Sequence, residues 1–278
     1  MPTGPVDFDT EPQNVKLPPK PSPTDSDEQK QGTQKQREEA MKHHAEWVRK
    51  FEERLPLGAP ASDPFFYVNR TSLTKEQCDD IIKRFENQPQ NQRQGVTGSG
   101  PDPLIKRTTE INVSRTPGWK EEDTLLCEAL QKGLSEYAVK VATLCNNTEI
   151  MRHMANGNII DTGYQIQKYD KGQGVYNWHQ DYVINSDVSS RMLTFLWYIN
   201  DVEEGGETLF FHGKIKPKAG TLIIFPSTWN YNHKGCVPTS GDKYIITGWV
   251  SNKTGPKCGP KPDNWCKEEG RLNPRCGT

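Results

Sequence analysis

Long hydrophobic runs are missing from this 278-residue sequence, and no segment approaches the roughly 20 consecutive apolar residues that a membrane-spanning helix needs. The first residues, MPTGPVDFDTEP, contain neither a basic stretch nor an apolar one, so we expect no secretory signal peptide. An excess of one charge is missing too, since 35 basic residues stand against 36 acidic ones. The sequence therefore predicts a protein with neither a membrane nor a nucleic acid as its partner.

Apolar residues are scarce, at 32% of the chain with a mean hydropathy of −0.85, and the deficit is concentrated at the ends. Residues 1–35 hold seven of the 21 prolines and one aromatic residue, which predicts a disordered, proline-rich tail. Residues 36–60 predict a docking helix and a linker, and residues 253–278 an irregular tail with three cysteines. Residues 61–252 remain as the predicted globular domain.

The seven cysteines are odd in number and widely spaced. Together with the missing signal peptide, this pattern favours free thiols in a reducing compartment. We therefore expect a cytoplasmic protein.

The order of secondary structure elements indicates the fold class. Thr74-Lys-Glu-Gln77 is a capping-box pattern that opens a helix, and a longer amphipathic helix follows over residues 121–144. An alternating segment then predicts a half-buried strand at residues 164–169, and short apolar segments predict strands at 192–199, 208–211, 221–225 and 244–250. Helices followed by many short strands predict an α+β chain whose β part is a sandwich or a jelly roll.

The candidate chemistry centres on His179 and Asp181. On an extended strand, residues two apart point to the same side, so the imidazole and the carboxylate are expected to project together. With a second histidine they would form the two-histidine, one-carboxylate set that holds non-haem Fe(II). His-x-Asp alone also fits an ordinary surface strand.

The second histidine is His233, which lies 52 residues after Asp181 and follows a predicted strand and turn. Ten residues further on, Lys243 opens a strand of otherwise apolar residues. A buried lysine needs a negatively charged partner, and a dicarboxylate bound beside the metal would supply one. A lysine at a strand end that reaches solvent fits the same position.

These features occur in a fixed order together with residues 202–208 (VEEGGET) and the proline-bearing segment 216–220. The set resembles the catalytic domain of 2-oxoglutarate- and Fe(II)-dependent prolyl 4-hydroxylases of the collagen-type and small soluble class. The resemblance covers roughly residues 60–252 and is most specific over 164–250. It implies a double-stranded β-helix (jelly roll) core with flanking N-terminal helices.

The resemblance also implies roles for individual residues. His179, Asp181 and His233 look like the iron ligands, and the iron centre itself carries the catalysis. The residues that resemble the 2-oxoglutarate contacts are Lys243, Tyr169 and Thr208, and those that look like peptide contacts are Tyr176, Arg191 and Trp249. Ser251 departs from the pattern, because such members often carry a histidine there.

The implied activity is hydroxylation of prolyl residues at the 4-position in a proline-rich peptide or protein, with succinate and CO₂ as coproducts. The implied cofactors are Fe(II), 2-oxoglutarate as cosubstrate and O₂, with ascorbate as the reductant. Two alternatives stay open at this stage. One is the same chemistry on another residue or on a free amino acid, and the other is a non-catalytic jelly-roll binding protein.

Overall fold

A computed structural model of the chain describes residues 21–22, 24–98, 100–149, 151–152, 159–183 and 191–252. Most of the predicted N-terminal tail and all of the predicted C-terminal tail therefore lie outside the described residues. Within these ranges, no helix combines the length and the apolar composition that crossing a membrane requires.

Helices and short antiparallel strands make up the described fold. The helices are α1 (Asp27–Arg54), α2 (Lys75–Glu86) and α3 (Lys120–Cys145). The strands are β1 (Tyr67–Asn69), β2 (Arg93–Gln94), β3 (Lys106–Arg107), β4 (Thr109–Asn112), β5 (Ile159–Asp161), β6 (Gln165–Tyr169), β7 (Val175–His179), β8 (Arg191–Tyr198), β9 (Thr208–Phe210), β10 (Gly213–Ile215), β11 (Thr221–Pro226), β12 (His233–Gly235) and β13 (Lys243–Asn252).

These strands form two antiparallel sheets. The larger one has eight strands in the order β1-β11-β8-β13-β6-β4-β2, with β5 added on β13. The smaller one has five, in the order β10-β9-β12-β7-β3. Strands distant in sequence thus become neighbours, as in a jelly roll, and the predicted α+β class is confirmed.

The central strands of the larger sheet are buried on both faces. On β8, Phe195 and Trp197 belong to the cluster beneath the helices, whereas Leu196 and Tyr198 belong to the cluster between the sheets. Because side chains alternate along a strand, burial on both faces requires a continuous apolar sequence. The inner face carries the polar residues that line the site.

Helices α2 and α3 cover the outer face of the larger sheet. The capping box predicted at Thr74 and Gln77 is present and starts α2 at Lys75. Helix α3 buries Leu126, Leu130 and other residues of its apolar stripe. A Cβ at Gly133 of α3 would lie 2.5 Å from a Leu222 methyl carbon, so the missing side chain lets α3 lie close to β11.

Helix α1 begins earlier than the sequence analysis predicted. We expected the helical segment from residue 36, but it starts at Asp27, so residues 27–35 are helical. The reason is a second capping box, in which the Ser26 side chain accepts from the Gln29 backbone N–H and the Gln29 side chain accepts from the Ser26 N–H. Arg37 of this helix forms a buried ion pair with Asp102 (2.6 Å).

The polar segment after α2 is partly ordered into secondary structure. It contains a short 3₁₀ turn at Pro89–Asn91 and the two-residue strand β2, which pairs with β4. Sequence periodicity cannot predict a two-residue strand, because two residues are too few to show alternation.

Candidate active site

The two candidate histidines face each other across neighbouring strands of the smaller sheet. His179 is the last residue of β7 and pairs directly with His233, the first residue of β12. Each ring is oriented through Nδ1, which donates to the Asn177 carbonyl in His179 (2.7 Å) and to the Tyr231 carbonyl in His233 (3.1 Å). Both Nε2 atoms are therefore left as lone-pair donors, the form in which imidazole binds a metal.

Asp181 reaches the histidines in a different way from the one predicted. We expected it on the same strand face as His179, but β7 ends at His179 and Asp181 lies two residues beyond. Its carboxylate is held from the larger sheet, because Thr194 Oγ1 donates to Asp181 Oδ2 at 2.9 Å. The Thr194 hydroxyl is also 2.9 Å from that of Ser227, and both residues are buried.

The three side chains together offer a compact set of metal ligands. One ligand atom from each of His179, Asp181 and His233 lies within 4.8 Å of the other two. Burial and the neighbouring His233 lower the pKa of His179, so this ring is neutral at neutral pH. Burial acts to raise the pKa of Asp181, but the two imidazoles and the Thr194 hydroxyl outweigh it, and the pKa falls below its usual value.

Lys243 is buried beside this set without a counter-charge. It is 1% exposed, and no ion pair or hydrogen bond joins its Nζ to another residue in the described ranges. Its ammonium lies over two aromatic faces, with the Tyr169 ring centre at 4.8 Å and the Tyr198 ring centre at 5.7 Å. Burial lowers the pKa of Lys243 to about 8, against smaller opposing effects of Cys236 and Glu207.

Two further polar atoms near Lys243 lack hydrogen-bond partners. The hydroxyls of Thr208 and Tyr198 are buried and unpaired within the described part of the chain. Burial raises the pKa of Tyr198, and the neighbouring Thr208 hydroxyl acts in the opposite direction. An ammonium and two hydroxyls without partners form a set of donors suited to an anion.

Glycines allow close packing around these donors. A Cβ at Gly235 of β12 would lie 3.0 Å from the Tyr169 ring, and a Cβ at Gly206 would lie 3.4 Å from Lys243 Cδ. Gly206 also has a φ of +70°, a conformation that strains other residues. Gly206 of the VEEGGET segment therefore allows close packing against Lys243.

A chain of polar contacts leads away from Tyr169 through the inner face of the larger sheet. The Tyr169 hydroxyl donates to Gln167 (3.1 Å), whose amide donates to Gln165 (3.4 Å). The Gln165 amide donates to one oxygen of Glu110 (2.6 Å), and the other oxygen pairs with the Lys106 ammonium (2.6 Å). The Lys106 and Glu110 side chains are each 5% exposed.

This series of polar contacts continues from Lys106 to the ring of Tyr176, which lies against His179. Lys106 Nζ lies 4.7 Å from the centre of the Tyr176 ring, and this ring stacks on His179 with a centroid distance of 3.5 Å. Tyr176 and His179 share a face although they are three residues apart, because the pairing of β7 with β12 shifts register there.

Arg191 and Trp249 also meet at the site. The Arg191 guanidinium lies 3.5 Å from the centre of the Trp249 ring, and its Nη1 donates to the backbone carbonyl of Asp181 (3.4 Å). The Trp249 indole N–H is buried without a partner among the described residues, and it lies close enough to Asp181 to lower the pKa of that carboxyl. The structure thus brings Arg191 and Trp249 into contact and links both of them to Asp181.

We expect Glu110→Ala to destabilise the fold by about 3–5 kcal/mol, because it leaves the buried Lys106 ammonium unpaired. The substitution also removes the acceptor of the Thr108 hydroxyl (2.8 Å). Urea unfolding gives the change in free energy. The matched control is Glu53→Ala, which breaks the exposed Arg49–Glu53 pair and should cost less than about 1 kcal/mol. Equal unfolding midpoints for the two variants would contradict the role of the buried pair.

The fold and the site define the class of protein. A family model of the 2OG-Fe(II) oxygenase superfamily matches residues 164–251, which contain the three candidate ligands, Lys243 and the other site residues. The protein is a 2-oxoglutarate-dependent dioxygenase, a class that uses Fe(II), 2-oxoglutarate and O₂.

Curated relatives narrow the class. Probable prolyl 4-hydroxylase 3 of Arabidopsis thaliana is 31% identical over 227 residues, which cover 68% of this chain and 69% of that protein. Probable prolyl 4-hydroxylase 9 of the same plant is 28% identical over 206 residues, covering 65% of this chain and 66% of that protein. The chain thus spans about two thirds of the length of these relatives. It belongs to the prolyl 4-hydroxylase family.

A solved structure supports the fold. The prolyl hydroxylase of Trichoplax adhaerens, in complex with a peptide fragment of the oxygen degradation domain of hypoxia inducible factor, superposes with a TM-score of 0.52. The alignment covers 74% of this chain and 93% of that chain at 17% identity. At this identity the similarity concerns the fold alone, and the jelly-roll prediction is confirmed.

The donor set suits the cofactors of the class. Two imidazoles and one carboxylate are the ligands expected for non-haem Fe(II), and such a set leaves coordination positions open. The unpaired ammonium of Lys243 and the unpaired hydroxyls of Thr208 and Tyr198 suit a carboxylate of 2-oxoglutarate. The residues present therefore fit both groups.

Several residues of the site escaped the sequence analysis. Tyr198 was missed because it lies inside a largely apolar strand. The signal that could have found it is that a buried tyrosine hydroxyl usually requires a hydrogen-bond partner. Thr194 belongs to the same strand, and its contact with Asp181 spans 13 residues of sequence. The Lys106–Glu110 pair carried no signal beyond two charges four residues apart.

Proposed function

We propose that this chain hydroxylates prolyl residues, at the 4-position, in a proline-rich peptide or protein. The reaction would consume 2-oxoglutarate and O₂ and release succinate and CO₂. Membership of the prolyl 4-hydroxylase family supports this choice over another residue, a free amino acid or a non-catalytic binding protein.

The observation that carries the proposal is the unpaired, buried Lys243 beside the His179, Asp181 and His233 set. We assign the three ligands to Fe(II) and Lys243 to the far carboxylate of 2-oxoglutarate. An uncompensated buried ammonium is costly in a resting protein, so its presence here indicates a site made for an anion. When bound, iron, 2-oxoglutarate and O₂ supply the oxidising power to convert an unactivated C–H bond into an alcohol.

We assign Tyr169 and Thr208 to the cosubstrate as well. Burial raises the pKa of Tyr169 well above its usual value, so its phenol stays neutral and its ring closes the pocket over Gly235. The Thr208 hydroxyl is free to bond an oxygen of the ligand. These residues orient the cosubstrate and exclude water from it.

Tyr176, Arg191 and Trp249 are proposed to face the peptide. The Tyr176 ring stacks on one side of His179, whereas Arg191 and Trp249 are linked to Asp181. Aromatic rings and an indole N–H are suited to a proline-rich segment in the polyproline II conformation, because they contact pyrrolidine rings and bond to exposed carbonyls.

Ascorbate is the proposed reductant that keeps the iron as Fe(II). The cytoplasm remains the proposed compartment, because the odd and widely spaced cysteines favour it. A nucleic acid is not a proposed partner, because the chain has nearly equal numbers of basic and acidic residues.

The test is mass spectrometry of peptides after incubation with the protein, Fe(II), 2-oxoglutarate and ascorbate. Each proline-rich peptide is paired with a copy in which one proline is replaced by alanine. We expect one added oxygen atom at a proline, absent from the matched copy, and fragment spectra place it. Oxygen on another residue would point to the sibling activity. No modification and no 2-oxoglutarate turnover with any peptide would contradict the proposal.

A further inference from the structure

Helix α1 docks its C-terminal end on the outer face of the smaller sheet. Phe51 packs against Trp178 and Phe211, with ring centroids 6.1 Å and 6.0 Å away. Trp178 in turn stacks on Phe211 at 5.0 Å. This contact lies directly behind the two strands that carry the histidines.

At the centre of this contact, one oxygen atom of Glu52 joins the two strands. Glu52 Oε1 accepts a hydrogen bond from the Trp178 indole N–H at 2.9 Å, and it also binds the Lys234 ammonium at 2.7 Å. The Glu52 and Lys234 side chains are 17% and 16% exposed, so this ion pair is largely shielded from water. Charge-assisted bonds of this kind are stronger than those between neutral groups.

The two donors stand next to the proposed iron ligands. Trp178 precedes His179 on β7, and Lys234 follows His233 on β12. Neighbouring residues on a strand point to opposite faces of the sheet. Trp178 and Lys234 therefore contact Glu52 on the outer face, directly behind the two imidazoles on the inner face.

The backbone alone fixes these strands weakly. Strand β12 has only three residues, and its pairing with β7 shifts register between His233 and Gly235. A bulge removes regular ladder hydrogen bonds and lets the strands bend. A side-chain bridge across the outer face therefore supplies a constraint that the ladder lacks.

We infer that Glu52 is a positioning residue for the two imidazoles, setting the separation of His179 and His233 from behind the sheet. The inference rests on the proposed function, since it takes these histidines as iron ligands. Helix α1 lies outside the segment that the superfamily model matches. According to the inference, this helix nevertheless helps to position the metal ligands.

The test is a titration of the full-length, metal-free protein with Co(II), followed by its visible ligand-field absorption. We expect Glu52→Ala to weaken Co(II) binding by roughly tenfold and to change the absorption spectrum, as loss of groups behind metal ligands does. Glu52→Gln keeps an oxygen acceptor for both donors and should restore most of the affinity and the spectrum. The control is Glu53→Ala on the same helix, which should match the wild type.

The outcomes separate the inference from the proposed function. Co(II) binding by the wild type with an unchanged affinity and spectrum in Glu52→Ala would overturn the inference alone. Failure of the wild type to bind Co(II) would overturn the proposed function and the inference with it. If Glu52→Ala does not fold, Lys234→Met replaces it, because it removes one donor and leaves Glu52 in place. This variant should lose affinity in the same direction, and equality with the wild type would overturn the inference.

Discussion

Asp181→Ala should abolish 2-oxoglutarate turnover while the protein stays folded. The substitution removes the only carboxylate of the set and leaves two imidazoles, too few to hold Fe(II) firmly. The loss should exceed about 100-fold, because outer-shell partners of a metal site alone are worth 10–100-fold. His179→Ala and His233→Ala should behave in the same way. Succinate release measures turnover, and circular dichroism checks the fold.

The carboxylate charge can be separated from the shape of the side chain. Asp181→Asn keeps the shape and an oxygen that accepts from Thr194, but it has no charge, and it should also be inactive. Asp79→Ala is the matched control, since Asp79 is exposed on α2 and pairs only with Lys75 among the ion pairs of the described residues. Full activity in Asp181→Ala would disprove the ligand assignment.

Lys243→Ala should raise the 2-oxoglutarate requirement by roughly a hundredfold or more. The expected loss is about 3–5 kcal/mol, because a buried carboxylate of the cosubstrate would be left without its cationic partner, and each 1.4 kcal/mol corresponds to a factor of ten. The measurement is the apparent KM for 2-oxoglutarate at saturating peptide. An unchanged KM would place that carboxylate elsewhere.

Lys243→Met distinguishes lost binding from lost folding. Methionine keeps much of the apolar stem that packs against Gly206 and removes the unpaired ammonium. The ligand-free protein should therefore become more stable to heat while 2-oxoglutarate binding is lost. Lys218→Met, at an exposed lysine paired with Asp201, serves as the control and should change neither property appreciably.

The pH dependence follows from the same lysine. Its pKa is about 8 in the folded protein against a usual value of 10.5, so the ammonium form prevails below pH 8. Binding of 2-oxoglutarate should be strongest there and weaken as the pH rises past 8. Between pH 8 and 10.5 the unfolded chain binds more protons at this group, so its contribution to stability rises with pH. In Lys243→Met, the contributions of this group to the pH dependence of 2-oxoglutarate binding and of stability should both disappear.

Part of the site could be predicted from the sequence because some of its signals are local. His179 and Asp181 are two residues apart, and the glycines of the VEEGGET segment stand beside Thr208. The extents of β8 and β11 also followed closely from their largely apolar runs, because these strands are buried on both faces. The predicted domain boundaries stay predictions.

The remaining parts of the site depend on contacts between distant segments. Glu52 meets Trp178 across 126 residues, and Arg37 meets Asp102 across 65. With 71 charged residues in the chain, composition gives no means of choosing such partners. The approach of Asp181 was mispredicted for the same reason, because Thr194 of another sheet decides where its carboxylate lies.

The measurement closest to the central claim is a reaction under ¹⁸O₂ with Fe(II), 2-oxoglutarate and a proline-rich peptide, analysed by mass spectrometry of both products. The account predicts succinate that carries one ¹⁸O atom and a peptide that gains one hydroxyl on a proline, in equal amounts. Labelled succinate and hydroxylated peptide should both be lost in Asp181→Ala. Unlabelled succinate, or an unmodified peptide beside consumed 2-oxoglutarate for every peptide tried, would contradict it.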